Sequence, residues 1–429
     1  MKMFKIFFYL VLVLMLGGCV GTAQPEAKPN QKVFEEEDAY ILFALRAEQL
    51  RDCKSASKIF DRLYEKSDKK EYLYRSLKNS LVCKENQKVV EKVDGITHGK
   101  IDDFVLIRMK IIALMELEKF TEAKTLALEL VGISKEADDY ILLSDIYIKL
   151  KRYDTALKYL ESAYVRDYNE KILDKMSIIL YLNLERKKDA IAQLETHTRV
   201  HGCSELICMR LIAFYSNENN INGLLSTYLR LYKIDKNDEI SKRIIQIYGY
   251  KKEYLELIDF LQESGSDDDL LLQLYTNTKN YKKASPLADK LYKMSGDINY
   301  LGQSAIFDYE STADKNDKSM QKRVMAKLEK VVKTQENPLY LNYLGYLLID
   351  HKLDIKQGIK YVKRALKIEP NSAYYLDSLA WGYYRLGDYE KAYKILKKVT
   401  KLDGGDDKEV LSHLKEIKKH IKNKGKNKK

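Results

Sequence analysis

Residues 376–393, LDSLAWGYYRLGDYEKAY, read as two amphipathic helical halves joined by Leu-Gly-Asp-Tyr. The same layout recurs upstream in LMELEKFTEAKTLALEL, YIKLKRYDTALKYLESAY and YLNLERKKDAIAQLETH. Each has a Leu-rich or aromatic helix, a short charged turn, then a second helix carrying a small residue. The pattern predicts helix pairs throughout, with no strand. It also predicts that none of these pairs can bury its apolar faces alone.

Stepping back 34 residues from Ala392 lands in phase on Gly358. Farther upstream the same small or apolar position recurs at Ala56, Val89, Ala123, Ala156, Ala190, Gly223 and Leu257, at spacings alternating between 33 and 34, before a shorter step to Ala284. Chance does not hold phase that long.

This period resembles the tetratricopeptide repeat, in which small residues let two antiparallel helices approach closely. In the last full unit Leu379, Ala380, Tyr383, Gly387, Asp388, Tyr389, Ala392 and Leu396 match the family's signature positions, and Pro370-Asn371 supplies the preceding stop. Trp381, the only Trp, departs from the pattern: Leu376 fills the family's Trp position, and Trp381 is expected on the opposite, partly exposed side of its helix. The resemblance covers about residues 36–415, is strong over 104–200 and 337–403, and is weak over 71–100 and 297–336. It implies an all-α, right-handed superhelical solenoid of about eleven helix pairs. The expected organisation is an array over 35–296, an irregular helix pair or joint over 297–336 containing the charged break STADKNDKSM, two repeats over 337–407, and a capping helix with a basic tail over 408–429. In the resembling family the first helix of each pair lines a groove that takes extended peptides or partner helices. Here that groove is expected to present Tyr374, Asp377, Trp381, Tyr384 and Arg385 beside Asn342 and Tyr346, with Trp381 as a candidate anchor because large aromatics and Arg dominate binding hot spots.

The first segment stands apart. Lys2 and Lys5 precede an apolar run from Phe7 to Leu16 and then small residues, the layout of a signal peptide over 1–18 rather than of a membrane span. Leu16-Gly17-Gly18-Cys19 resembles the lipobox of bacterial lipoproteins, which implies cleavage before Cys19 and acylation, palmitate included, of that residue. Several acyl chains give stable anchoring, because each buried methylene contributes about 0.8 kcal/mol. Val20 follows Cys19 where an Asp would resemble an inner-membrane retention signal, so the expected site in a two-membrane bacterium is the outer membrane facing the periplasm, and otherwise the cell membrane. Residues 19–34, with Pro25 and Pro29, form the lipidated Cys and its tether.

Charge refines the picture. Of the formal +12, the signal supplies Lys2 and Lys5, and Lys415 to Lys429 holds eight Lys against one Glu, which leaves +3 for the rest. The body is nearly balanced, and the basic end suits anionic lipid, peptidoglycan carboxylates or an acidic partner, or acts as a solubilising tail. Export excludes nucleic acid.

Cys53, Cys83, Cys203 and Cys208 form an even set that suits an oxidising compartment. Cys53 and Cys83 fall near the turns of successive repeats and pair as a candidate disulfide if those turns lean together; Cys203 and Cys208 can close a small loop. Zinc is the alternative for His197, His201, Cys203 and Cys208, but their spacing is poor for four ligands converging tetrahedrally, so a disulfide with a core histidine is the expectation. No phosphate loop, His-Glu-x-x-His helix or Gly-x-Ser-x-Gly elbow occurs, acidic runs sit at helix starts, and no enzyme or cofactor is expected.

The run from Asn342 to Ala392 resembles the end of a group of bacterial repeat lipoproteins with an LGY-LAD…LDSLGW-YYRLG-Y-EA pattern, with Ala380 in place of its Gly and Ile349-Asp350-His351 in place of its Ala-Asp-Arg. That group includes the adaptor of a carboxy-terminal processing protease, which implies a periplasmic scaffold that brings cell-wall hydrolases to such a protease. The alternative is a structural subunit of an envelope machine for outer-membrane assembly, secretion or flagellar rotation.

Overall fold

A computed structural model describes residues 32–426. Among them the chain forms 23 α-helices and no strand, that is, eleven antiparallel pairs and one terminal helix. The signal peptide, Cys19 and most of the tether lie outside the described residues. No described helix is long and apolar enough to cross a membrane.

The chain divides into two compact units, Met1–Leu231 and Tyr232–Lys429. In the first, α1 (Glu37–Gln49) to α11 (Glu205–Asn217) alternate as first and second helices of successive pairs, and α12 (Ile221–Ile234) carries the chain across the division. α9 (Glu170–Ile178) ends in a π turn, Ile179–Asn183, whose Tyr181 stacks on Phe214 of α11 with ring centroids 4.0 Å apart. In the second unit α13 (Asp238–Lys251) to α22 (Tyr389–Val399) continue the alternation, and α23 (Lys408–Lys426) closes it.

The repeating small position is where the two helices of a pair meet. Ala56, Val89, Ala123, Ala156, Ala190, Ala284 and Ala392 are all fully buried. At Gly358 the constraint is strictest: a Cβ there would lie 2.6 Å from the Gly345 carbonyl oxygen, so α19 (Pro338–Asp350) and α20 (Ile355–Ile368) touch backbone to backbone. Between these, the position falls on Gln321, also buried, at steps of 37 residues from Ala284 and to Gly358. The segment expected as an irregular pair or joint is thus a helix pair, α17 (Ile298–Ser311) and α18 (Lys318–Thr334), with the charged break forming its loop; the division of the chain falls instead at Leu231.

Ten of the eleven turns within pairs share one geometry, the longer α17–α18 loop being the exception. Arg51, Lys84, Glu118, Lys151, Glu185, Asn219, Lys252, Lys279, Lys352 and Gly387 all take positive φ just after the first helix. Only Gly387 is the residue best suited to that conformation. At three of these turns an aspartate side chain caps the next helix: Asp52, Asp354 and Asp388, the last accepting from the Lys391 amide at 3.3 Å.

Candidate functional site

The second unit carries a cavity of about 560 Å³ on the first-helix face of its last repeats. Four of the seven expected groove residues line it: Asn342 and Tyr346 from α19, and Tyr374 and Asp377 from α21 (Ala373–Arg385). They meet because residues three and four apart on a helix share a face, and successive first helices lie side by side. Tyr343 on α19, Tyr309 and Glu310 on α17, Glu369 after α20 and Glu409 on α23 complete the polar wall.

The other three residues, Trp381, Tyr384 and Arg385, do not line this cavity, and Trp381 is not an exposed anchor. It is buried, its Nε1 donates to Asp350 Oδ1 at 2.9 Å, and Arg385 lies over its ring at 4.6 Å while also donating to Asp350 at 3.0 Å. α23 covers the opposite ring neighbours: His413 stacks on Trp381 with centroids 4.0 Å apart, and His420 packs against Tyr384. The terminal helix is therefore more than a solvating cap. Val410 and Ile417 are buried, and it occupies the position of one further first helix.

Two tyrosine–glutamate hydrogen bonds shape the cavity's polarity: Tyr343 donates to Glu310, and Tyr346 donates to Glu409 at 2.5 Å. Burial, and then the carboxylate beside each, holds Tyr343 and Tyr346 well above the usual phenol range and pushes Tyr375 up to about 12. Burial likewise pushes Tyr309 up to about 12. Tyr343 and Tyr346 keep their protons at neutral pH and direct them onto carboxylates, whereas the Tyr309 hydroxyl lies 3.2 Å from His351 Nε2. Among the described residues Asn342 Oδ1 is a further, buried acceptor without a partner.

The N-terminal unit holds a second cavity, of about 850 Å³, lined by Tyr164, Tyr168, His197 and His201 among others. Here His197 lies between the Tyr164 hydroxyl at 2.7 Å and Glu170 at 3.1 Å, and Cys203 is joined to Cys208 with Cα atoms 5.5 Å apart. The four residues weighed as a zinc set are thus held by other partners or exposed, and they do not converge. Cys53 and Cys83 are also joined, with Cα atoms 5.7 Å apart, which ties the first two turns together.

Against known proteins, residues 140–167 and 373–406 match the tetratricopeptide repeat. Both segments contain a turn of the kind described above. The chain is also 23% identical over 313 residues to a tetratricopeptide-repeat-containing protein of Methanocaldococcus jannaschii, covering 63% of this chain and 53% of that one. A tetratricopeptide-repeat-containing protein of Pseudomonas aeruginosa is 23% identical over 214 residues, covering 48% of this chain and 33% of the relative. The chain therefore spans about half of one curated relative and a third of the other. Among solved structures, the Cut9–Hcn1 hetero-tetramer is similar at a TM-score of 0.37 and 11% identity, over 90% of this chain and 97% of that one. MamA from Desulfovibrio magneticus is similar at a TM-score of 0.33 and 19% identity, over 40% of this chain and 97% of that one.

Proposed function

We propose that this chain is a scaffold tethered through Cys19 to the outer membrane, facing the periplasm, and that it holds other envelope proteins by the cavity of its C-terminal repeats. On this reading it brings cell-wall hydrolases to a processing protease. The observation that supports the reading is the cavity itself: α23 occupies the groove beyond Trp381, whereas the wall around Asn342 and Tyr374 is left open, with Tyr374 more than half exposed. An open, pre-formed wall rich in aromatic and polar groups suits partner recognition.

The test is in-cell crosslinking and affinity capture of the full lipoprotein, with Cys19→Ala as control, followed by mass spectrometry. The reading expects a processing protease together with cell-wall hydrolases. Recovery of a fixed set of machine subunits without a protease would sink the adaptor role and make the chain a structural subunit instead.

A further inference from the structure

We infer that the cavity of the C-terminal repeats is built for a cation, and that its occupant is an arginine-bearing basic segment of the partner. This inference rests on the scaffold reading and names the chemistry of what that scaffold holds.

The first ground is charge. Glu310, Glu369, Asp377 and Glu409 line the cavity, and among the described residues no Lys, Arg or His does. The neighbouring basic side chains are already held. Lys315 donates to the Tyr309 carbonyl and lies over that ring, Arg385 donates to Asp350, and His413 is bonded to Asp377 at 2.9 Å.

The second ground is hydrogen-bond polarity. With the phenolic protons of Tyr343 and Tyr346 directed onto Glu310 and Glu409, these two tyrosines offer no donor to an occupant, and the carboxylates are acceptors only. The unpartnered Oδ1 of Asn342 has the same preference. An acidic or carboxylate-ended peptide would meet repulsion and unmatched acceptors. A guanidinium carries five N–H donors and no acceptor, so it answers both features.

The third ground is shape. Tyr309, Tyr343, Tyr346, Tyr374 and Tyr375 supply aromatic faces on which a planar guanidinium stacks better than a compact ammonium. Within the described residues the chain's own basic helix does not supply this group: α23 touches the cavity through Glu409, near its start, and runs 17 residues onward to Lys426. At 1.5 Å per residue, its Lys-rich end lies roughly 25 Å along the helix from that contact.

The test is fluorescence anisotropy on the full mature chain with two short fluorescein-labelled probes, one alternating Gly and Arg and one alternating Gly and Glu. The Arg probe should bind and weaken as salt is raised. Glu310→Gln and Glu409→Gln, which keep an acceptor for each tyrosine, should each weaken it roughly tenfold, the loss of one charge-assisted contact. The Glu probe should not compete. Equal binding of the Glu probe, or Arg binding indifferent to both substitutions, would overturn the inference. If a variant fails to fold, competition between the two probes on the unaltered chain decides the matter. Capture in cells that survives both substitutions would overturn this inference alone and leave the scaffold reading standing.

Discussion

His413 stacks on Trp381 with ring centroids 4.0 Å apart and places its Nδ1 2.9 Å from the Asp377 carboxylate. One side chain of α23 thus joins the aromatic stack to the wall of the cavity. His413→Ala should release α23 and leave Asp377 buried beside an emptied space, at a cost of about 2–3 kcal/mol to this unit. Because Trp381 is the only Trp, its emission should shift to the red, and near-native emission from the variant would contradict the arrangement.

Acid should loosen the first pair before the rest. Burial would raise the Glu37 carboxyl, but hydrogen bonds from Lys69 at 2.6 Å, Tyr72 at 2.7 Å and the Val33 amide at 2.7 Å outweigh it and hold the group at about 2, against an ordinary 4.5. The unfolded carboxyl therefore takes a proton that the folded one refuses. The resulting stability, about 2–3 kcal/mol, is fully present above pH ~4.5 and is lost as pH falls toward 2. Hydrogen exchange of α1 and α2 (Cys53–Ser67) should quicken across that window, and Glu37→Gln should abolish the dependence.

Two backbone substitutions should act in opposite directions. Gly358→Ala places a methyl 2.6 Å from the Gly345 carbonyl oxygen and should cost about 1–3 kcal/mol or more. Lys151→Gly relieves a side chain held at φ 58° and should stabilise its turn by a few tenths to about 1 kcal/mol. Urea melts of the two variants check both signs.

Reduction should weaken the two bridges unequally. Cys53–Cys83 closes a loop of sequence separation 30 and Cys203–Cys208 one of 5. Chain entropy assigns about 3–4 kcal/mol to the first and about 2 kcal/mol to the second. Paired Cys→Ser variants, melted separately, should show the larger loss at the first pair.

Much of the fold is legible in the residues because each pair needs a small side chain where its helices meet, and Ala56, Ala123, Ala156, Ala190 and Ala392 mark that contact. The pair at 297–336 is legible only as an irregular pair or joint, because Gln321 takes the small residue's place and the longer loop breaks the step. The site was half legible. Asn342, Tyr346, Tyr374 and Asp377 share a face by helical spacing, but Tyr309 and Glu310 come from the pair whose register was lost. Trp381 is the instructive error, since periodicity tells which face a residue takes but not that the expected capping helix seats His413 on that face. The signal was present at Val410, Leu414, Ile417 and Ile421, an apolar stripe at helical spacing within a segment whose lysines dominate the eye.

The most direct test of the account places a photo-crosslinking amino acid at Tyr374, on the open wall, and at Val165, exposed on α8 (Tyr153–Asp167), in the full lipoprotein in cells. The account predicts that Tyr374 captures a defined partner through a basic segment and that Val165 does not. The same products from both positions, or none from Tyr374, would contradict it.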